Sequence, residues 1–471
     1  MYAKFLKFLQ SLKNKNIAVI GLGISNEPLL KILVENNLNV TAFDGMAEDS
    51  KRAIELKEKY QANWSFGANY LSKLIGFDYI FRTPALMPHN SYLEAEKAQG
   101  ALITSEMELF LEFCPAKVFG VTGSDGKSTT SSLIATMLEE QGYKVYLGGN
   151  IGQPLLDQLD KIKSEDMVVV ELSSFQLIDL NVSPQVAVFT NITPNHLNIH
   201  KDFSEYLEAK KQIYRHQKLN DKVIINGMTE KIAQDFLNMK GEVIWFNKRY
   251  PETKHRVFLQ KIDKLGYQPR NSDDFIEICS VNDLRIIGSF NRQNALASMA
   301  AVIDYVEPVN IKKALRNFKG LKHRLEFVRE VDHVKFYESS IDSSPERSKN
   351  SISAFIELQR PLILIMGGQD KNLDYSGLGK SIAAATDRLI LCGENSSLID
   401  ESLKNESHLV GKSYCETNVQ YVKDYKEAVK MACRLARPGD SVLLSPAGTS
   451  FDNFNNFMER GNHFKKIVNQ I

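Results

Sequence analysis

The stretch Ala116-Lys117-Val118-Phe119-Gly120-Val121-Thr122-Gly123-Ser124-Asp125-Gly126-Lys127-Ser128-Thr129 decides the fold. Its first seven residues form a largely apolar run of strand length. From Lys127 to about Glu140 the pattern turns helical. Between the two lies a turn with two glycines. A strand feeding such a turn and then a helix is a phosphate-binding unit. Backbone N–H groups wrap the phosphate, Lys127 neutralises the β/γ oxygens, and the Ser128 hydroxyl reaches Mg2+. The spacing departs from G-x-x-x-x-G-K-[ST] at one place, where Val121 stands at the first glycine. A plain glycine turn with an exposed lysine is the bland alternative, and the flanking strand and helix argue against it.

Reading outward, Met167 to Glu171 (MVVVE) is a second buried strand. It ends on an acid at the carboxyl edge of the sheet, where a metal-holding carboxylate belongs. The strand Gln185 to Thr190 delivers Asn191 to His196 to the same edge, so three strand ends converge on one crevice. A charged helix is expected over Ser204 to Lys218, a strand over Lys222 to Ile225, and a helix from about Asn291. The stretch Ala233 to Asp283 is less regular and its strands cannot be ordered. Upstream, a strand at Asn16 to Ile20 runs into Gly21-Leu22-Gly23-Ile24-Ser25-Asn26, a helix over Glu27 to Glu35, and a strand from Asn39 that ends at Asp44. This nearly fits a dinucleotide fingerprint, but Asn26 takes the third glycine's place and is expected to crowd the helix–strand contact. A tight turn without a ligand and a diphosphate-binding turn read equally well here. Beyond Phe318-Lys319-Gly320, strands are expected at Pro361 to Met366, Arg388 to Cys392 and Ser441 to Ser445, with a helix over Asp424 to Ala436.

Alternating strands and helices imply an α/β protein with parallel sheets. At 471 residues, three domains are expected. They are a Rossmann-like N-terminal domain (1–113), a P-loop central domain with a mostly parallel sheet (114–320) and a Rossmann-like C-terminal domain (321–471). Composition narrows the function. Lys+Arg 58 against Asp+Glu 57 leaves a net charge of +1, which argues against a general nucleic-acid or polyanion binder. No apolar run reaches the ~20 residues of a membrane span, and the first residues lack the apolar core and cleavage site of a signal peptide. The five cysteines (Cys114, Cys279, Cys392, Cys415, Cys433) are dispersed with no C-x-x-C pair. That argues against a disulfide framework or thiolate metal site and suits a reducing cytoplasm.

Read together, the motifs resemble the Mur ligase family along essentially the whole chain. They are GVTGSDGKSTT (Gly120 to Thr130), GGNIG (Gly148 to Gly152), ELSSFQL (Glu171 to Leu177), NITPNHLNIH (Asn191 to His200), GSFNRQNALA (Gly288 to Ala297), His323-Arg324, GGQDKNLDYS (Gly367 to Ser376) and LLSPAGTSFDNFNNFMERGNHF (Leu443 to Phe464). ELSSFQL and SPAGTSFDNF point to the member that adds D-glutamate. The resemblance implies a soluble, cytoplasmic enzyme. ATP would convert a carboxylate to an acyl phosphate that an amine attacks, joining D-glutamate to UDP-N-acetylmuramoyl-L-alanine in peptidoglycan synthesis. Such chemistry asks for positioning and neutralised phosphoryl charge. No nucleophile–base set is evident in the sequence.

The resemblance also implies roles. Gly123, Ser124, Asp125, Gly126, Lys127, Ser128 and Thr129 would hold ATP, joined by Asn291, Asn294 and Arg324, with Lys127 and Arg324 neutralising phosphoryl charge. Gly23, Ile24 and Ser25 would meet the UDP diphosphate, with Asp44 near the nucleotide; Asn150, Ser173 and His196 would receive the muramoyl-alanine end. Ser128 and Glu171 would hold one Mg2+, and His196 a second with a carbamoylated lysine, Lys210 rather than Lys211. Lys371, Ser450 and Phe451 would form the D-glutamate site. The implied partners are small molecules, with no nucleic acid and no membrane, and the enzyme would be a monomer. Departures from the family pattern are Phe290, where His is usual; Ser339 and Ile341, where Asp and Lys are usual; and Thr83-Pro84-Ala85 in place of Ser-Pro-Gly. One alternative keeps the chemistry but changes the amino acid, as in another Mur ligase. A folate polyglutamate synthase would lack the first domain. A nicotinamide-dependent oxidoreductase built on Gly21 to Asp44 leaves the phosphate loop unexplained, and a non-catalytic nucleotide-binding scaffold leaves the metal and lysine set unexplained.

Overall fold

The computed structural model describes residues 2–197, 199–229, 232, 235, 241–248 and 255–471. Asn198, inside the NITPNHLNIH stretch, and part of the irregular 233–283 region lie outside the described residues. Among those described, the strands form three sheets. The first contains β1 (Ile17–Ile20), β2 (Val40–Asp44), β3 (Asn63–Phe66), β4 (Tyr79–Phe81) and β5 (Leu102–Thr104). They lie parallel in the order β3-β2-β1-β4-β5.

The second sheet contains β6 (Lys117–Thr122), β7 (Val145–Gly149), β8 (Met167–Glu171), β9 (Val186–Phe189), β10 (Lys222–Asn226), β11 (Glu242–Phe246), β12 (Val257–Lys261), β13 (Lys264–Gln268) and β14 (Ile276–Ser280). Its order is β14-β13-β12-β11-β10-β9-β6-β8-β7, parallel from β7 to β12 and finished by an antiparallel β12-β13-β14 meander. The third holds β15 (Glu326–Val331), β16 (Val334–Glu338), β17 (Leu362–Met366), β18 (Arg388–Leu391), β19 (Asn418–Tyr421) and β20 (Ser441–Leu444). Its order is β15-β16-β20-β17-β18-β19, parallel except for the β15–β16 hairpin at one edge.

The inner strands are continuous apolar runs because helices cover both faces of a parallel sheet. MVVVE in β8 and LILIM in β17 are buried at every position. Strand β6 is the switch point of the second sheet: the chain reaches β7 and β8 on one side of it and β9 on the other. Ligand crevices form at such reversals, beyond the carboxyl ends of the strands. The helix Lys127–Glu140 has the expected bounds. The next begins at Phe203, not Ser204, because the Asp202 carboxylate accepts the Glu205 backbone N–H at 2.8 Å and caps it; it ends at Arg215.

The chain divides into two compact units, Met1–Asp283 with Gln293–Leu315, and Leu284–Arg292 with Arg316–Ile471. The first unit holds the first two sheets and the second holds the third. Within the first unit, the two sheets are tied through Arg82, which follows β4 and is 1% exposed. Its guanidinium makes a two-point ion pair with Asp179 and donates to the carbonyls of Thr83, Leu86 and Phe175. Nearby, Glu106 opens the helix Glu106–Phe113 and is 5% exposed. It accepts the Leu156 backbone N–H, its Oε1 has no hydrogen-bond partner, and burial pushes its carboxyl up to about 8. Among the described residues no helix is long and apolar enough to cross a membrane.

Glu106 makes stability pH-dependent. The folded chain keeps a proton that the unfolded chain releases near its ordinary value of 4.5. Its contribution is full below that value and is lost as pH rises toward about 8. The unfolding free energy of the wild type, read by urea titration, should fall across this window by up to about 1.4 kcal/mol per pH unit. Glu106→Gln should remove that part of the slope; equal slopes in both proteins would contradict the assignment.

Candidate active site

The loop after β6 is built by its glycines and braced by the end of β9. Gly126 has φ +80, and an added Cβ would lie 2.3 Å from Asn294 Oδ1; at Gly123 (φ +150) it would lie 1.9 Å from Thr190 Oγ1. Neither position tolerates a side chain. Thr190 Oγ1 donates to the Asp125 carbonyl at 2.6 Å, and Asn191 Oδ1 accepts the Asp125 N–H at 2.9 Å. Ser124 Oγ accepts the Thr193 N–H and lies 2.9 Å from the Tyr206 hydroxyl. The loop is thus shaped by side chains 65 to 82 residues downstream.

Two lysines meet on this loop. Lys127 Nζ donates to the carbonyls of Gly123 (3.0 Å) and Ser124 (2.9 Å). Lys210 Nζ, 2% exposed, donates to the same Gly123 carbonyl at 2.8 Å. Burial and the neighbouring Lys127 charge hold the Lys210 amine well below the usual lysine range, against the pull of Asp125 and Glu171. Lys211, the neighbouring alternative, instead pairs with Glu208 and Asp235. A buried amine kept toward its neutral form is a nucleophile.

Glu171 closes β8 at 1% exposure. Its Oε1 accepts the Asn150 amide at 2.7 Å, while Oε2 is buried without a hydrogen-bond partner. Gly149 (φ +97) permits this approach, since a Cβ there would lie 2.3 Å from the Glu171 carbonyl. The orphaned Glu171 Oε2 is a hard oxygen donor of the kind that suits Mg2+. Asn150, assigned by resemblance to the substrate, is placed on the Glu171 carboxylate.

The segment after Glu171 assigns each side chain a contact. Ser173 caps the short helix Ser174–Leu177, and Gln176 completes the capping box, with Ser173 Oγ 3.0 Å from its Oε1. Ser174 Oγ lies 3.0 Å from His200 Nε2, and His200 Nδ1 lies 3.2 Å from Glu205 Oε2. A serine–histidine–glutamate row is therefore present. With Ser174 and His200 both 2% exposed, it cannot receive a substrate carbonyl as a nucleophile would. Phe175 stacks on His200 (5.1 Å, 7°) and meets the His196 ring edge-on at 5.2 Å. His196 itself is exposed, with φ +56.

In the first loop, Gly21 (φ +79) turns the chain against Thr83; a Cβ there would lie 2.7 Å from Thr83 Cβ. Asp44 is taken up by the backbone, with Oδ2 accepting Leu22 N–H at 2.7 Å and Oδ1 accepting Met46 N–H at 2.9 Å. Asn26 does not crowd the helix. It is buried, and its amide donates to the Ile20 carbonyl at 2.9 Å, tying helix to strand. Gly23, Ile24 and Ser25 form the turn between them, with Ile24 fully presented to solvent at 77% exposure.

Asn294, in the first unit, packs on Gly126 and accepts from Thr130 at 3.4 Å. Asn291 and Arg324 belong to the second unit. Asn291 donates to the Ile287 carbonyl at 2.7 Å. The Arg324 charge acts on Asp342, whose carboxyl burial pushes up to about 6. Beside Arg324, His323 Nδ1 is 2.7 Å from Glu338 Oε2, and Glu326 pairs with Lys465. Ser339 is buried and takes the Leu325 N–H at 3.2 Å, while Phe290 packs against the core around Tyr337 and Ile352. Lys371 Nζ sits 5.2 Å from the Phe451 ring centroid, and Ser450 is buried beside Phe451. The sequence reading missed Ser174, Thr190, Thr193, His200, Glu205 and Tyr206. The quoted motifs held all but Thr190, Glu205 and Tyr206, without indicating their contacts.

Comparison with known proteins gives the family and the fold. Family models match residues 121–302 as "Mur ligase middle domain" and 323–448 as "Mur ligase, glutamate ligase domain". The chain is 44% identical over 473 residues to the UDP-N-acetylmuramoylalanine--D-glutamate ligase of Acetivibrio thermocellus, and 43% identical over 474 residues to that of Ruminiclostridium cellulolyticum. Each alignment covers 100% of both chains. Among solved structures it is similar in fold to UDP-N-acetylmuramate-alanine ligase MurC of Thermotoga maritima. The TM-score is 0.57 at 17% identity, covering 97% of this chain and 99% of that one. It is also similar to the MurF ligase of the same organism in complex with ADP, with a TM-score of 0.56 at 16% identity and coverage of 98% and 97%.

Gly126→Ala tests the loop. The added methyl must displace Asn294 and adopt a left-handed conformation. Affinity for a non-hydrolysable ATP analogue, read by titration calorimetry, should fall at least about tenfold. Unchanged affinity would contradict the loop's assignment to phosphate.

Proposed function

We propose that this chain, which belongs to the Mur ligase family, joins D-glutamate to UDP-N-acetylmuramoyl-L-alanine and hydrolyses ATP to ADP and phosphate, a step of peptidoglycan synthesis. The observation that carries the ATP chemistry is the meeting of Lys127 and Lys210 on the Gly123 carbonyl. Lys127, at the mouth of a glycine loop, places a cation suited to phosphoryl oxygens beside a Lys210 amine held toward its neutral form. The choice of amino acid rests on the full-length relatives.

The substrate carboxylate attacks the γ-phosphorus, ADP departs, and the acyl phosphate forms. The D-glutamate amine then adds to the acyl carbon and phosphate leaves from the tetrahedral adduct. The loop 123–129 holds the phosphates through its N–H groups. Lys127 neutralises charge as the γ-phosphoryl group moves, and Arg324, with Asn291 and Asn294, adds contacts to the nucleotide. Glu171 and Ser128 would hold one Mg2+, and His196 with a carbamoylated Lys210 a second; bound there, magnesium neutralises phosphate oxygens. The depressed Lys210 pKa supports the modification. The neutral amine attacks CO2, forms an N–C bond and releases one proton, so an uncharged amine becomes an anionic carbamate. Lys371 would pair a D-glutamate carboxylate, with Ser450 and Phe451 beside it. Residues 1–113 would bind the UDP substrate through Gly23, Ile24, Ser25 and Asp44, residues 114–320 ATP, and residues 321–471 the amino acid. Ser173, Asn150 and His196 would meet the muramoyl-alanine end. The enzyme would act as a monomer in the cytoplasm.

A coupled phosphate-release assay with each amino acid offered in turn tests the reading. Release should require D-glutamate. Release with L-lysine and none with D-glutamate would move the chain to a sister activity. Lys210→Ala should lose at least about a hundredfold in rate, recovered in part by short carboxylates. Full activity of the unrescued variant would remove the carbamate.

A further inference from the structure

His196 is held in an unusual way. It is a non-glycine residue with φ +56, a conformation that needs support from its surroundings. Its carbonyl accepts the backbone N–H of both Ile199 and His200, each at 3.0 Å, so His196 and His200 close one turn. Wherever the His200 ring is fixed, the turn carrying His196 is fixed with it.

The His200 ring is fixed from four sides. Glu205 Oε2 already accepts the Lys201 N–H at 2.9 Å, and a carboxylate can only accept, so His200 Nδ1 carries a proton and donates to it. Nε2 is then a bare acceptor, and the Ser174 hydroxyl donates to it at 3.0 Å. Phe175 stacks on one face, and Tyr206 meets the ring edge-on at 5.3 Å. Each partner leads into the site: Ser174 and Phe175 follow Ser173, Phe175 touches the His196 ring, and the Tyr206 hydroxyl reaches Ser124 of the phosphate loop.

We propose that His200 is a positioning residue: clamped between Ser174 and Glu205, it locks the turn bearing His196 onto the segment bearing Ser173, preorganising the surface that receives the muramoyl-alanine end of the UDP substrate. The identity of that ligand rests on the ligase reading above; the clamp itself rests on the hydrogen bonds. A paired row fixing one tautomer and one ring orientation acts here as a brace.

The test uses the full chain and three mild substitutions, Ser174→Ala, Glu205→Gln and Ser174→Thr. Binding of UDP-N-acetylmuramoyl-L-alanine alone is followed by calorimetry, and the ring by 15N spectra of histidine-labelled protein. The substrate should bind about fivefold more weakly to Ser174→Ala and to Glu205→Gln, and within about twofold of wild type to Ser174→Thr, which restores the hydroxyl. Affinity for an ATP analogue should stay within about twofold in all three, because the phosphate loop keeps its own braces. The wild-type ring should show a protonated Nδ1 and a bare Nε2. Substrate affinity unchanged in both disruptive variants, equal loss of both ligands, or a proton on Nε2 would overturn the proposal. A wild-type chain that bound no UDP substrate would instead sink the ligase reading, and the ring spectrum would still decide whether the clamp exists.

Discussion

The Gly123 carbonyl is the point on which the structure turns. Lys127 reaches it from the helix that follows the loop, and Lys210 reaches it from a helix more than eighty residues later. Two ammonium groups on one oxygen repel each other, and a buried lysine pays a desolvation penalty as well. Burial and the Lys127 charge push the Lys210 amine toward neutrality. Both features serve phosphoryl chemistry. In the proposed reaction a cation would meet developing negative charge, and a neutral amine would be open to conversion into a metal-holding anion.

The rest of the fold delivers groups to that point. Because the chain reverses around β6, the ends of β6, β8 and β9 open on one crevice. They supply the loop, Glu171 and the Thr190–Asn191 brace. Glycines stand where backbone passes too close for a Cβ, as at Gly123 and Gly149. Rigid elements carrying short loops suit a reaction in which the protein supplies position and charge, with no covalent catalysis. Arg82, inside the first unit, locks the first sheet to the segment after Glu171.

Much of this was legible in the sequence, for physical reasons. Helix Lys127–Glu140 and strand Met167–Glu171 could be read to the residue because a glycine turn and an unbroken apolar run mark their ends. The short edge strands β3 and β5 and the β12–β14 meander were not legible, since they are short, half exposed and lack a continuous apolar run. The spacing alone puts Asp44 near a nucleotide; it does not show that each of its oxygens also holds a backbone amide. Asn26 looked like a clash and is a tie. The Ser174–His200–Glu205 row could not be foreseen. Its members are 26 and 5 residues apart in sequence, and only the folded loop brings them together.

The most direct measurement of the central claim is a crystal structure of the enzyme with magnesium and a non-hydrolysable ATP analogue. The β- and γ-phosphates should lie within hydrogen-bond distance of Lys127 Nζ and of the loop N–H groups from Gly123 to Ser128. A triphosphate bound elsewhere, with that loop vacant and both lysines still on the Gly123 carbonyl, would contradict it.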